Sequence, residues 1–160
     1  MRFLCAALLF LVIVLSVNTS LADSYIVRGG AHAKLTGAVK TFSLRKESYL
    51  GSKLKQAAET GFWVDNAGTG GKSSLFAKWA AGVSPGNETG LFGKAFVGVA
   101  GITHKDNQLG GNFQFTEDFG FGIRDKASHI AIVYTHFSSA GIFKPNKGRD
   151  FVTVEIGLEF

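Results

Sequence analysis

In the last ten residues of the chain, every second side chain is apolar. One face of a strand formed by them would be apolar: Val152, Val154, Ile156, Leu158 and Phe160. The other face would carry Phe151, Thr153, Glu155, Gly157 and Glu159. Successive side chains of a strand point to opposite faces. In a membrane barrel, one face meets lipid while the other fills a polar interior. The segment therefore predicts a barrel strand, with an amphipathic strand of a soluble sandwich as the alternative.

The first 22 residues have the pattern of a secretory signal peptide. Arg2 supplies a positive charge, residues 3–17 are apolar apart from Ser16, and Ser20-Leu21-Ala22 matches the small-x-small cleavage pattern. The apolar run is shorter than the roughly 20 residues that a membrane-spanning helix needs. Cys5 does not stand at the cleavage site, which argues against a lipoprotein anchor. We expect residues 1–22 to be a cleaved signal peptide and residues 23–160 to form one domain.

The composition of the expected mature chain is that of a β protein. The sequence has 21 glycines and 15 phenylalanines but only 2 prolines, which favours strands with tight turns and aromatic faces. Its single cysteine lies in the signal peptide, so the domain has no thiol chemistry. The net charge of +5 falls to +4 when Arg2 is removed. This modest positive charge suits an anionic lipid surface, and we expect no nucleic-acid partner.

Eight strand-like stretches, separated by Gly, Asn, Asp and Ser clusters, cover most of the domain. They are residues 25–33, 36–44, 61–66, 74–83, 92–103, 112–123, 129–137 and 151–160. Residues 46–59 are predicted as a short helix or an exposed loop. Only helices and closed barrels can span a bilayer, and eight strands of about ten residues fit this length. The predicted fold is an all-β, eight-stranded antiparallel transmembrane β-barrel whose interior is filled by side chains.

A set of polar residues begins near the end of the seventh predicted strand and continues to the start of the eighth. It consists of His136, Ser138, Ser139, a Pro145-Asn146-Lys147-Gly148 turn and Asp150. This order resembles the lipid A 3-O-deacylases of the PagL type, which have His-x-Ser-Asn, a Pro-Asn-x-Gly turn and then an acidic residue. Residues 106–111, with Phe115, Glu117 and Asp118 after them, also resemble that family. The resemblance covers roughly residues 94–160.

The resemblance implies an outer-membrane enzyme that hydrolyses the 3-position acyl ester of lipid A in lipopolysaccharide. Ser138 would be the nucleophile, His136 the base and Asp150 the acid that orients the base. A hydroxyl becomes a good nucleophile only when a base takes its proton, and the base needs a third group to fix its tautomer. No metal or organic cofactor is implied. The expected location is the bacterial outer membrane, and a homodimer is possible.

Residue parity predicts where this triad would lie. His136 and Ser138 are two apart on a strand, so they share a face with Cα atoms about 6.6 Å apart. Asp150 has the parity of the apolar residues of the last strand, and His136 has that of Ile130 and Ile132. The site is therefore expected on the outer wall. Strand order places it near the outer leaflet, because the longer loops of bacterial barrels are external.

Two positions depart from the family pattern. Ser139 stands where the family usually has Asn, and Asp150 stands where a Glu is typical. If that Asn helps to bind the oxyanion, the backbone N–H of Gly141 or the side chain of Asn146 could take over. Glu155 is another acid nearby, but its parity places it on the opposite face. These changes leave a catalytically weakened relative as an alternative.

Other functions remain open from the sequence alone. The chain could be a non-enzymatic small outer-membrane barrel, or a soluble periplasmic barrel that carries a lipid. His32, His104 and His129 show no metal-ligand spacing, so no metal site is predicted. Four aromatic residues are candidates for interfacial girdles, with barrel packing as the alternative: Tyr25, Trp63, Trp79 and Tyr134.

Overall fold

Eight antiparallel strands form a closed barrel in the computed structural model, which describes residues 24–33, 39–50, 52–66, 72–105 and 107–160. The strands are β1 (Ser24–His32), β2 (Val39–Leu50), β3 (Leu54–Asp65), β4 (Ser74–Val83), β5 (Gly90–Ile102), β6 (Phe113–Arg124), β7 (Ser128–Ser138) and β8 (Arg149–Glu159). Each strand pairs with its neighbour in sequence, and β8 pairs with β1. The predicted eight-stranded antiparallel barrel is confirmed. The predicted signal peptide lies outside the described residues.

The prediction of a helix or loop over residues 46–59 is wrong. β2 continues to Leu50, a short turn follows, and β3 begins at Leu54. The inward positions of this hairpin carry charges such as Glu47 and Glu59, both buried in the lumen. Charged residues facing a polar interior hide the alternation of apolar and polar residues that usually marks a strand.

The two ends of the barrel differ in the length of their connections. Ser24 lies opposite Glu159, so β1 starts where β8 ends. At this terminal rim the strands are joined by residues 51–53, 84–89 and 125–127. At the opposite end, which we call the loop rim, the connections are residues 33–38, 66–73, 103–112 and 139–148. Longer loops are typical of the external side of bacterial barrels.

The middle of the lumen is filled by a network of buried charges. Its members are Arg28, Arg45, Glu47, Glu59, Lys78, Lys94, Asp118 and Glu155. Lys78 Nζ lies 2.7 Å from Asp118 Oδ1, and Lys94 Nζ lies 2.6 Å from Glu155 Oε1. Buried charges are tolerated when they are paired and hydrogen-bonded. The network gives the barrel a polar core in place of a hydrophobic one.

Aromatic rings close the lumen towards the loop rim. Trp63 stacks on Phe76 with ring centroids 5.7 Å apart, and Phe137 and Phe151 contact the Trp63 ring at 5.6 and 5.7 Å. Leu109, from the connection between β5 and β6, is fully buried in the same cluster. Trp63 is therefore a packing residue and does not belong to an outer girdle. The cluster fixes the ends of β7 and β8 from inside.

The outer wall of the barrel is apolar. On β7 and β8 the outward side chains include Ile130, Ile132, Val154 and Ile156, all of them exposed. The inward residues of β8 are buried as far as Gly157, in strict alternation with the outward ones. Such a belt is the surface that a transmembrane barrel presents to lipid. No helix among the described residues has the length and hydropathy to cross a membrane.

Candidate active site on the outer wall

His136 and Asp150 lie directly opposite each other on β7 and β8. The Nδ1 atom of His136 is 2.6 Å from Oδ1 of Asp150. An ionised carboxylate can only accept hydrogen bonds, so Nδ1 carries the hydrogen and donates it. In the neutral imidazole, the other ring nitrogen, Nε2, then has a free lone pair. This is the tautomer that a general base requires.

Ser138 lies two residues beyond His136 on the same strand, as its last residue. Because alternate residues share a face, its side chain emerges on the outer wall with His136. Both side chains are half-buried. Among the described residues, no hydrogen bond joins Ser138 to His136. The structure thus brings the imidazole and the carboxylate into contact and has Ser138 at the next outward position of β7.

Asp150 is well covered although it belongs to the outward face. It is 4% exposed, while the next outward residue of β8, Val152, is 43% exposed. The hydroxyl of Tyr134 donates a hydrogen bond of 2.7 Å to Asp150 Oδ1, the same oxygen that receives His136. From the sequence, Tyr134 was a candidate for an interfacial girdle or for barrel packing. Its shared parity with His136 was the one signal that could have indicated this contact.

Gly148 packs against the imidazole from the loop side. A Cβ atom placed on it would lie 2.6 Å from His136 Cε1 and 3.4 Å from Nε2. Its φ angle is +72°, in the left-handed region that favours glycine. Gly148 therefore does more than form the turn after Pro145. Its missing side chain leaves the space that the His136 ring occupies.

The connection between β7 and β8 uses Ser139 and Asn146 to fix its own shape. The Ser139 hydroxyl donates to the Phe143 carbonyl at 3.0 Å, and the residue is fully buried. The Ser139 amide donates to Oδ1 of Asn146 at 2.9 Å. Because the Asn146 oxygen is the acceptor of this bond, the other terminal atom of the side chain is the nitrogen, which has two hydrogens to donate. Gly141 is exposed with a φ of +82°.

A second loop braces this connection. Asn146 forms an isolated bridge with Leu109, and the Gly110 amide donates to the Pro145 carbonyl at 2.7 Å. The Lys147 amide donates to the Gln108 carbonyl at 2.9 Å. The loop that contains residues 107–111 is therefore hydrogen-bonded to the loop that contains Asn146. Two segments that are far apart in the sequence meet at the site.

Three other acids lie near the triad residues in the sequence or across the sheet. Glu117 is exposed and opposite His136 on β6, with no hydrogen bond to it among the described residues. Asp118 and Glu155 point into the lumen and bind cations there. Asp150 is the acid that contacts the imidazole. Within the described part of the chain, no three His, Cys, Asp or Glu residues are grouped to hold a metal ion.

A groove of about 510 Å³ begins beside the site and follows the wall towards the terminal rim. Tyr134 and Val152, which lie two residue pairs below His136 and Asp150, line its upper part. Phe119, Ile132 and Pro85 are among its other lining residues. The groove is mostly apolar. An extended hydrocarbon chain would find matching surface in it.

The sequence and the fold both match known proteins. The sequence profile of the family described as "Lipid A 3-O-deacylase (PagL)" matches residues 27–159. "Lipid A deacylase PagL" of Bordetella bronchiseptica is 38% identical over 56 residues, which are 34% of this chain. The matched stretch spans 32% of that relative, about a third of its length.

Solved structures show the same barrel. The crystal structure of the outer membrane enzyme PagL superimposes with a TM-score of 0.72 at 19% identity, covering 84% of this chain and 97% of that one. The N-terminal barrel domain of Pseudomonas aeruginosa OprF gives 0.64 at 11% identity, covering 89% and 100%. The fold is that of outer-membrane β-barrels. Because the family profile covers most of the sequence, this chain belongs to the lipid A 3-O-deacylase (PagL) family.

Proposed function

We propose that this protein is an outer-membrane esterase that hydrolyses the acyl ester at the 3-position of lipid A. Ser138 would act as nucleophile, His136 as general base and Asp150 as the acid that orients the base. The observation that carries the proposal is the 2.6 Å contact between His136 and Asp150 on the outward face, with Ser138 one outward position further on. Membership in the family supports the same reaction.

The mechanism follows from the tautomer of His136. With Nδ1 held by Asp150, Nε2 takes the proton of the Ser138 hydroxyl as its oxygen attacks the ester carbonyl. The sugar alcohol leaves with that proton, and an acyl-enzyme remains on Ser138. Water, activated by the same nitrogen, then releases the 3-hydroxy fatty acid. The Ser138–His136 hydrogen bond would tighten when substrate binds, as catalytic hydrogen bonds often do.

The negative oxygen of the tetrahedral intermediate needs donors close to Ser138. Asn146 is positioned to offer its side-chain nitrogen, because its oxygen is already bound by the Ser139 amide. The Gly141 amide is a second candidate, and no hydrogen bond to it is present among the described residues. The Ser139 hydroxyl is engaged with Phe143. We therefore assign oxyanion binding to Asn146 and Gly141, and loop shaping to Ser139.

The location of the site suits a lipid substrate. His136 and Ser138 lie at the end of β7 next to the loop rim, where the sugar head of lipid A would lie in the outer leaflet. The apolar groove below Tyr134 would hold an acyl chain in the membrane. A non-enzymatic barrel would have no need of a hydrogen-bonded imidazole and carboxylate on a largely apolar wall.

The proposal is tested by mass spectrometry of lipid A from cells that express the chain. We expect loss of one 3-hydroxyacyl group from the 3-position, and no loss with Ser138→Ala or His136→Ala. Heat-modifiable mobility on gels would verify that each variant is a folded barrel. An unchanged lipid A spectrum, with folded wild-type protein in the outer membrane, would refute the esterase and favour a non-enzymatic or catalytically weakened barrel.

A further inference from the structure

The Tyr134 hydroxyl makes a polar contact in an apolar part of the wall. Tyr134 faces Val152 on β8 and Phe119 on β6. Tyr134 is 38% exposed, and its ring is part of the apolar outer surface. Its hydroxyl nevertheless donates a hydrogen bond of 2.7 Å to Asp150 Oδ1. The same oxygen receives His136 Nδ1 at 2.6 Å. One carboxylate oxygen thus binds a phenol and an imidazole at once.

The direction of this hydroxyl is unusual for an outward tyrosine. Interfacial tyrosines place the ring in the apolar layer and the hydroxyl towards water or head groups. Tyr25 is an example on β1: it is 46% exposed and its ring packs on Phe160. No hydrogen bond to the Tyr25 hydroxyl is present among the described residues. Tyr134 instead binds a carboxylate that is almost fully covered.

The contact with Tyr134 matters because the side chain of Asp150 is short. Asp is one methylene shorter than Glu, so the carboxylate must stay near the β8 backbone and still meet His136. Each hydrogen-bond donor to a short carboxylate restrains its rotation about the side-chain bonds. Tyr134 donates from the strand that also carries His136, so the three groups are fixed relative to one another. On an apolar wall, each hydrogen-bond donor that replaces water also stabilises the charge of a carboxylate.

We propose that Tyr134 is a positioning residue for the reaction. It holds Asp150 in the orientation that keeps His136 Nδ1 protonated and Nε2 directed towards Ser138. This inference rests on the proposed function, because it assigns a role within the same triad. Tyr134 acts through Asp150 and has no direct contact with the reacting atoms.

The inference is tested with purified protein in detergent micelles, using lipid A as substrate and released 3-hydroxy fatty acid as readout. Tyr134→Phe removes only the hydroxyl. Loss of one hydrogen bond to a charged group predicts a fall in kcat of roughly tenfold, with KM within about twofold. The acidic limb of the pH–rate profile should shift, because Asp150, the partner of the base, has lost one hydrogen-bond donor. Tyr25→Phe is the matched control and should retain wild-type kcat.

A double-mutant cycle separates positioning from simple packing. If Tyr134 acts through Asp150, Tyr134→Phe should cause no further loss in an Asp150→Asn background. Multiplicative losses in the double variant, or a Tyr134→Phe enzyme with wild-type kcat and pH profile, would overturn the inference while leaving the triad intact. Wild-type activity of Asp150→Asn would instead refute the proposed triad itself.

Discussion

His136 and Asp150 are register partners across β7 and β8, and their side chains meet at 2.6 Å on the outer wall of the barrel. Glu117 is the register partner of His136 on the other side, on β6, yet it makes no hydrogen bond to the imidazole among the described residues. The imidazole therefore has an acid on each neighbouring strand and binds one of them. This asymmetry is the reason that Asp150, and not Glu117, is the orienting acid in the proposed triad.

Asp150→Asn should lower kcat by about 10³–10⁴-fold. The amide can donate to Nδ1 and so favours the wrong tautomer of His136, which is the effect of the corresponding change in serine proteases. Glu117→Gln, the matched change on β6, should leave kcat within about threefold. Initial rates of fatty acid release measure both. Equal losses in the two variants would show that the orienting acid has been misassigned.

Asn146→Asp should lower kcat by about 10²–10³-fold with little change in KM. The substitution keeps an oxygen for the Ser139 amide but removes the side-chain N–H donor, and loss of one oxyanion donor has an effect of this size. Ser139→Ala is the comparison, because the Ser139 hydroxyl binds Phe143 inside the loop. We expect Ser139→Ala to cost less than tenfold. The reverse ranking in steady-state assays would assign the oxyanion site to Ser139.

Gly148→Ala should reduce activity by roughly 10²-fold without preventing barrel formation. The new methyl group would overlap His136 Cε1 and displace the ring, and a misplacement of about 1 Å can cost that much in rate. Gly90→Ala is the control, since Gly90 also has a positive φ, at +101°, but has open space around it. Activity and heat-modifiable mobility of the two variants are compared. Full activity of Gly148→Ala would contradict the placement of the imidazole.

Asp118→Asn should lower the free energy of unfolding by about 3–5 kcal/mol, because it leaves one buried positive charge of the network uncompensated. Asp118 accepts hydrogen bonds from Arg45, Lys78 and Thr135, all at 2.7 or 2.8 Å. Glu117→Gln changes the adjacent outward residue and should alter stability by less than about 1 kcal/mol. Urea unfolding in lipid vesicles, followed by tryptophan fluorescence, measures the difference. Similar stabilities for the two variants would contradict the role of the charge network.

The alternation of side chains was enough to predict those strands whose inward residues are small or polar and whose outward residues are apolar. β4 was predicted with its observed bounds, residues 74–83, and β8 with a shift of a few residues. The hairpin around Leu50 was missed because Arg45, Glu47, Lys55 and Glu59 resemble the surface of a helix or a loop. Their partners come from other strands, such as Lys94 and Asp118, so pairing across the lumen could not be read from local sequence.

The face on which the candidate site residues lie was predictable from the sequence, but their contacts were not. Parity placed His136 and Asp150 on the outward side, where the structure has them. The contacts of Tyr134 and Gly148 depend on side-chain and backbone angles that a motif does not encode. The engagement of Ser139 with Phe143 likewise depends on the fold of the 139–148 connection. The sequence likewise did not show on which face of the wall Trp63 lies, because an aromatic residue can pack in the lumen or face lipid.

The most direct test of the account is to identify the residue that becomes covalently modified in the active enzyme. A long-chain alkyl phosphonofluoridate mimics the acyl group and reacts with a serine that is activated by a neighbouring base. Peptide mass spectrometry of wild-type protein that releases fatty acid from lipid A should show one adduct, on Ser138, and His136→Ala should abolish it. An adduct on Ser139 or another residue, or none on enzyme that is active, would contradict the triad.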